Sequence, residues 1–251
     1  MKKVTAALLT AVASAMILAG CGSKGSASNV IKFGTNAEFP PFEFISAEGV
    51  IEEYDGIDMA LAKDIGEQTG KEIKIENMEF DSLLIALANG QIDAVISGMT
   101  ITEERAKSVD FSTPYYEATQ VMIVPKDSDI AKASDMADKR IVVIQGYTGE
   151  QCVQELGYKY EAFKKGTEAI LELNNGKCDV VVLDSATAQK YVKDNPDLKI
   201  VSDSEAFEAE QYGIAVKKGN QELLDEINKA IETRLKDGTI SEWSASYTEN
   251  N

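Results

Sequence analysis

Histidine occurs nowhere in the 251 residues. Its absence removes Ser-His-Asp and Cys-His catalysis, imidazole general bases and nearly all familiar zinc sites. Cysteine occurs three times, at Cys21, Cys152 and Cys178, too few for a disulfide framework and without C-x-x-C spacing. Positive charge is scarce as well: 25 Lys plus Arg stand against 42 Asp plus Glu, a formal net charge of -17. A phosphate backbone is repelled by such a surface, which excludes nucleic acid as a partner. After the N-terminal stretch no apolar run is long enough to cross a bilayer. Nothing in the pattern asks for a metal or a cofactor. What is present, 44% hydrophobic and 27% charged residues, suffices for one large core or two modest ones.

The N-terminus reads as an address. Lys2 and Lys3 precede an apolar run from Ala6 to Ala19, and a Gly20-Cys21 step ends it, the layout of an export signal over residues 1–20. At about 14 residues the run is short for a permanent span. Leu18-Ala19-Gly20-Cys21 resembles the bacterial lipobox, in which the cysteine thiol takes a diacylglycerol and the mature lipoprotein, carrying acyl chains such as palmitate, starts at that cysteine. An ordinary signal with a chance cysteine is the alternative. Residues 21–29 have nothing to bury and fit a flexible tether between lipid and domain.

From Val30 onward short apolar runs alternate with helical periods, which predicts α/β layering with largely parallel strands. Strands are expected at Val30 to Thr35, Glu72 to Glu76, Ile92 to Ser97, Val121 to Val124, Arg140 to Gln145, Asp179 to Asp184 and Tyr212 to Val216. Helices are expected from Asp58 to Thr69, after an Asp81 cap with Leu83, Leu84 and Leu87 inward, from Thr148 to Leu156, after a Thr167 cap, and from Ser185 to about Lys193. A long helix capped by Asn220 turns Leu223, Leu224, Ile227, Ile231 and Leu235 inward, and Trp243 packs a terminal helix. Tyr115 to Val121 and Ala206 to Tyr212 look like paired crossings between two similar halves.

Ser97 to Arg105 is the most informative stretch. A strand ends at Ser97, a turn with Gly98 follows, and Thr102 caps a helix whose first turn carries Arg105. A cation is disfavoured at that positive helix end by a few tenths of a kcal/mol, so an anion is expected to compensate it. Backbone N–H groups around Thr100 and the guanidinium fork suit a carboxylate; a surface pairing of Arg105 with Glu103 or Asp110 is the other reading. Asp184 ends a strand at the sheet edge where α/β folds place ligands. It suits a cation there, or caps the helix from Ser185. Gln145-Gly146-Tyr147-Thr148-Gly149 offers backbone donors at another strand end. Phe39, Phe42, Phe44 and Phe80 are either core or a lid over a ligand.

In combination, Asn36 to Phe44 (NAEFPPFEF), Gly56 to Met59, Ser97 to Arg105, Asp110-Phe111-Ser112, Pro114-Tyr115-Tyr116 and Gln211-Tyr212-Gly213 resemble the family 3 extracellular solute-binding proteins, which deliver polar amino acids to ABC importers. The resemblance implies a two-lobed, periplasmic-binding-protein-like α/β fold of type II with a hinge of two crossover strands. It places 30–115 and 213–251 in lobe 1 and 119–208 in lobe 2. It implies that Arg105 clasps a ligand carboxylate with Thr100 and the Thr148 to Gly149 amides, and that Asp184 holds the ammonium with the Gly98 carbonyl and the Thr100 hydroxyl. Ser97 adjoins them, and Phe39 and Phe80 flank the aliphatic part. Asn36 and Gln145 stand where relatives for basic or amide ligands often carry charge, which favours a neutral polar amino acid, with glutamine, serine, threonine and cystine open. Glu38, Glu43 or Glu117 can still reach a cationic side chain, so arginine and lysine stay open too. The partners implied are a small amino acid, the permease subunits of the importer and, through Cys21, the membrane; the protein itself is expected to be a monomer.

Two points are left to geometry. Cys152 and Cys178 fall at opposite ends of one lobe, about 20 Å apart along a strand, so both are expected as free thiols. An enzyme on the same fold, such as a dehydratase or lytic domain, needs a spare catalyst, with Glu38 or Cys152 as the candidates.

Overall fold

The computed structural model describes residues 29–249. The export signal, Cys21 and nearly all of the tether lie outside the described residues.

Two sheets carry the fold. The first runs in the order Glu72–Asn77, Val30–Thr35, Ala94–Val95, Ala215–Lys217, Val109–Phe111. The second runs Tyr160–Phe163, Ile141–Ile144, Val180–Asp184, Tyr116–Pro125, Leu198–Val201, and Ala209–Tyr212 pairs with its long strand. A small antiparallel sheet of Glu38–Phe39, Glu43–Ile45 and Tyr54–Asp55 sits beside the first. The expected parallel order holds on one side of each sheet only. Ala215–Lys217 is antiparallel to both neighbours, and Tyr116–Pro125 to all three of its own. These are the strands that enter or return after the chain passes from one sheet to the other, so their direction is reversed. Tyr116–Pro125 and Ala209–Tyr212 pair from Tyr116 with Tyr212 to Thr119 with Ala209, forming the double crossing that joins the two lobes.

Strand alternation explains how the second sheet is buried on both faces. Val121, Ile123, Val142, Ile144, Val181 and Leu183 face one apolar cluster, whereas Met122, Val124, Ile141, Val143, Val180 and Val182 face the other. Helix Ile57–Thr69 lays Ile57, Leu61 and Ile65 against the first sheet and stops at Gly70, whose φ of 69° only glycine adopts freely. Asn220 caps Gln221–Asp237 by accepting the Leu223 N–H, and Thr239–Glu249 follows.

Five local expectations change. Asp81 caps nothing: Phe80–Ser82 forms a 3-10 turn, Ser82 stands at the cap, and Asp81 accepts a bond from Gln145 instead. Leu84 is half-buried. The helix expected after a Thr167 cap starts two residues early, at Gly166 with Lys165 at the cap, and the Tyr191 hydroxyl packs so close to Gly166 that a Cβ would stand 2.5 Å from it. Leu235 is 44% exposed, because the apolar stripe of its helix ends at Ile231. The Tyr212 to Val216 strand is two strands, since Gly213 and Ile214 turn from the crossing into the first sheet. Cys152 and Cys178 are both free. Among the described residues no helix is long and apolar enough to cross a membrane.

Candidate functional site

Thr102 caps the one-turn helix Glu103–Ala106 by accepting the Arg105 N–H at 3.2 Å. The Arg105 side chain then folds back: Nη1 donates to the Thr100 carbonyl at 2.7 Å and Nη2 to the Gly146 carbonyl, on the other side of the cleft, at 2.9 Å. Its guanidinium lies 5.3 Å from the centroid of the Phe80 ring, in the range of a cation–π contact. The surface pairing with Glu103 or Asp110 does not form; Asp110 accepts the Gly219 N–H and lies 3.9 Å from Lys218. Burial pulls the guanidinium pKa down, with Asp184 and Glu210 opposing, and the group stays charged.

Asp184 ends the strand Val180–Asp184, is 3% exposed, and stands at the cap of helix Ser185–Asp194 without making any side-chain cap bond. Helix capping is therefore not its role. Its Oδ1 accepts the Tyr212 hydroxyl at 2.6 Å. Burial, reinforced by the charge of Glu210, raises its pKa to about 7.

The turn between these two residues is held from beneath. Ser97 donates to Glu43 at 2.7 Å and accepts the Asn36 N–H at 3.0 Å, and the Gly98 N–H donates to Asp58 at 2.8 Å. Tyr115 gives its hydroxyl to the other Asp58 oxygen at 2.8 Å. Glu43 and Asp58 are both fully buried. Burial raises both, Glu43 well above the carboxylate range with Asp58 adding to the shift, and Asp58 to about 6. Gly98 has φ +45°, and a Cβ on it would stand 2.6 Å from the Phe39 ring.

Phe39, Phe80, Ser97, Gly98, Thr100, Arg105, Tyr147, Thr148 and Asp184 line one cavity. Its volume is about 10 Å³, room for roughly one water, so any larger solute enters only when the lobes part. Tyr147 is the wall that sequence reasoning missed. It stands edge-on to Phe39, with centroids 5.3 Å apart, and 4.6 Å from Phe80, and its hydroxyl donates to Asn36 at 3.2 Å. It lies within the Gln145 to Gly149 loop, where only backbone donors drew attention.

Three expected residues stand outside that lining. Asn36 is one layer back, behind Tyr147. Gln145 is exposed at the mouth and donates to Asp81 across it at 3.0 Å. Gly149 packs on the sheet, where a Cβ would stand 2.8 Å from Gln120 Oε1 and 3.0 Å from the Val182 carbonyl. Behind the small cavity lies one of about 610 Å³, which shares Thr100 and Thr148 and adds Glu155, Glu205, Glu208 and Glu210. Among the described residues no group of three or more acidic or cysteine side chains is placed to hold a metal.

A charged fork and a buried carboxylate thus share one closable cavity between two lobes. The sequence profile of the bacterial extracellular solute-binding proteins, family 3, matches residues 31–250. The chain belongs to that family. This solute-binding protein is 35% identical over 243 residues to the arginine-binding extracellular protein ArtP of Bacillus subtilis (strain 168), covering 93% of each chain. It is 37% identical over 264 residues to a probable histidine-binding protein of Neisseria gonorrhoeae, covering 98% of this chain and 96% of that one. In three dimensions the solute-binding protein is similar to an ancestral arginine-binding protein bound to glutamine, with a TM-score of 0.80, 45% identity, and coverage of 87% of this chain and 97% of that one.

Proposed function

We propose that this protein captures a polar L-α-amino acid in the interlobe cleft outside the cytoplasm and presents it to the permease of an ABC importer. The observation that carries the reading is that Arg105 and Asp184, on different lobes, line the same cavity. A zwitterion leaves water at high cost unless each pole meets a partner, and charge-assisted hydrogen bonds of about 1.5–3 kcal/mol apiece supply that here. The carboxylate lies on Arg105 with the Thr100 and Thr148 amides, and the ammonium on Asp184 with the Gly98 carbonyl and Thr100 hydroxyl. Only a molecule with both poles bridges the lobes, so closure reports that the right solute is aboard. Lobe 1 comprises 30–115 and 213–251, and lobe 2 comprises 119–208.

The side chain of the ligand meets Phe39, Phe80 and Tyr147, with Asn36, Asp81 and Gln145 farther out. Flat aromatic walls with a polar rim suit a planar polar head, a guanidinium or a carboxamide, which favours arginine or glutamine. The names of ArtP and of the ancestral arginine-binding protein bound to glutamine point the same way, whereas that of the probable histidine-binding protein points to an imidazole.

Binding without turnover is the reading for this cleft. Glu38, one candidate acid, is paired with Lys165 at 2.8 Å, and burial raises the other candidate, the Cys152 thiol, to about 12, far from a nucleophilic thiolate. Acylation of Cys21 anchors the monomeric protein to the membrane, as the lipobox-like sequence indicates. A thermal-shift screen of the twenty amino acids with cystine and ornithine tests the function: binding to the folded form raises the melting temperature, and a flat response to every compound refutes it.

A further inference from the structure

Glu210 sits on the strand Ala209–Tyr212 that crosses between the lobes, and it lines the larger cavity rather than the small one. A single carboxylate oxygen of Glu210 receives three donors: the Thr148 hydroxyl at 2.7 Å, the Thr100 hydroxyl at 3.0 Å and Gln120 Nε2 at 3.3 Å. The two hydroxyl oxygens stand 3.5 Å apart, one from each side of the cleft.

A threonine hydroxyl has one proton to give and two lone pairs. Once that proton is committed to Glu210, the oxygen is an acceptor toward everything else. Thr148 already spends one of those lone pairs on Gln120 Nε2, at 3.1 Å. Thr100 lines both cavities, so its remaining lone pairs serve the small one. Without Glu210 the Thr100 proton is free to turn into that cavity, where an ammonium offers only donors of its own.

We propose that Glu210 is a positioning residue for the amino-acid site: by taking the protons of Thr100 and Thr148 from behind, it fixes the Thr100 oxygen as an acceptor for the ligand ammonium. This rests on the amino-acid reading given above. Glu210 touches no ligand and acts through Thr100, which makes its effect conditional on that hydroxyl.

Calorimetric titration of the full chain with L-arginine and with L-glutamine tests it. Glu210→Ala is expected to weaken whichever amino acid binds by about tenfold or more, whereas Glu210→Gln, whose amide oxygen still accepts both protons, stays within about threefold of wild type. In a Thr100→Val background the Glu210→Ala step is expected to cost less than about threefold, and in a Thr100→Ser background its full cost is expected to return. Independent, additive losses from Glu210→Ala and Thr100→Val overturn the proposal, as does undiminished binding by Glu210→Ala. Those outcomes leave the amino-acid reading standing. A wild-type protein that binds no amino acid of the thermal-shift screen overturns both.

Discussion

Arg105 and Gly146 meet across the cleft: guanidinium Nη2 donates to the glycine carbonyl at 2.9 Å while Nη1 holds the carbonyl of Thr100 at 2.7 Å. One side chain therefore joins a turn of the first lobe to a loop of the second, and Nε stays outside both bonds. The arginine is set by backbone, with no carboxylate of the protein neutralising it within ion-pair distance among the described residues.

Replacing Arg105 with alanine is expected to abolish amino-acid binding, a loss of about a hundredfold or more, since a bidentate charged contact disappears. The protein still folds, destabilised by about 1–3 kcal/mol because two carbonyls lose their donor. Calorimetry and thermal unfolding separate the two effects. Binding that survives the substitution removes Arg105 from the carboxylate site.

Affinity and stability are expected to move in opposite directions with pH. Asp184, at about 7, must be ionised to hold an ammonium, so affinity falls by up to about a hundredfold from pH 8 to about pH 5. In the ligand-free protein the same acid, with Asp58 at about 6 and Glu43 pushed well up from its ordinary value by burial, binds protons that the unfolded chain has already released. Each such group stabilises the fold fully below its unfolded value and loses that contribution as pH rises through its folded one. The melting temperature is therefore higher at about pH 5 than at about pH 8. Carboxylates held low, such as Asp179 by Arg140 and Asp237 by Thr239 and Arg234, lose their contribution only in more acid solution. A melting temperature that climbs from pH 5 to pH 8 contradicts the buried-acid assignment.

Gly98→Ala is expected to cost about 1–3 kcal/mol of stability and most of the binding. A methyl group there meets the Phe39 ring at 2.6 Å, in a backbone conformation at φ +45° that alanine resists. Unchanged melting and binding show that the turn has more freedom than this geometry allows.

Cys21→Ser is expected to release the exported protein from the membrane fraction with its amino-acid affinity intact, because Cys21 is not among the residues proposed to hold the ligand. Membrane fractionation and mass spectrometry of the mature N-terminus give the result. Continued membrane association without acylation removes Cys21 from that role.

Much of this was legible in the chain because the signals are local. The Thr102 cap, the Asn220 cap and the strand ending at Asp184 follow from residue type and spacing, and eight of the nine residues lining the small cavity were among those the sequence singled out. What escaped depends on distant partners. Tyr147 looks like an ordinary loop aromatic until Phe39 and Phe80 pack on it. Glu210 is one of 42 acids until two threonines turn to it. Gln120 gave a hint, as a polar side chain directly before the buried apolar run Val121 to Val124. Gln145 misled for the converse reason: the strand carries it past the cavity to the rim, where Asp81 takes its amide.

The most direct measurement is calorimetric titration of the protein with its best amino acid from the screen, beside the methyl ester and the N-acetyl derivative of the same compound. Loss of about a hundredfold or more in affinity for each derivative is expected, since each leaves one of Arg105 and Asp184 buried without its counter-charge. Either derivative binding as tightly as the parent contradicts the claim that both poles are gripped.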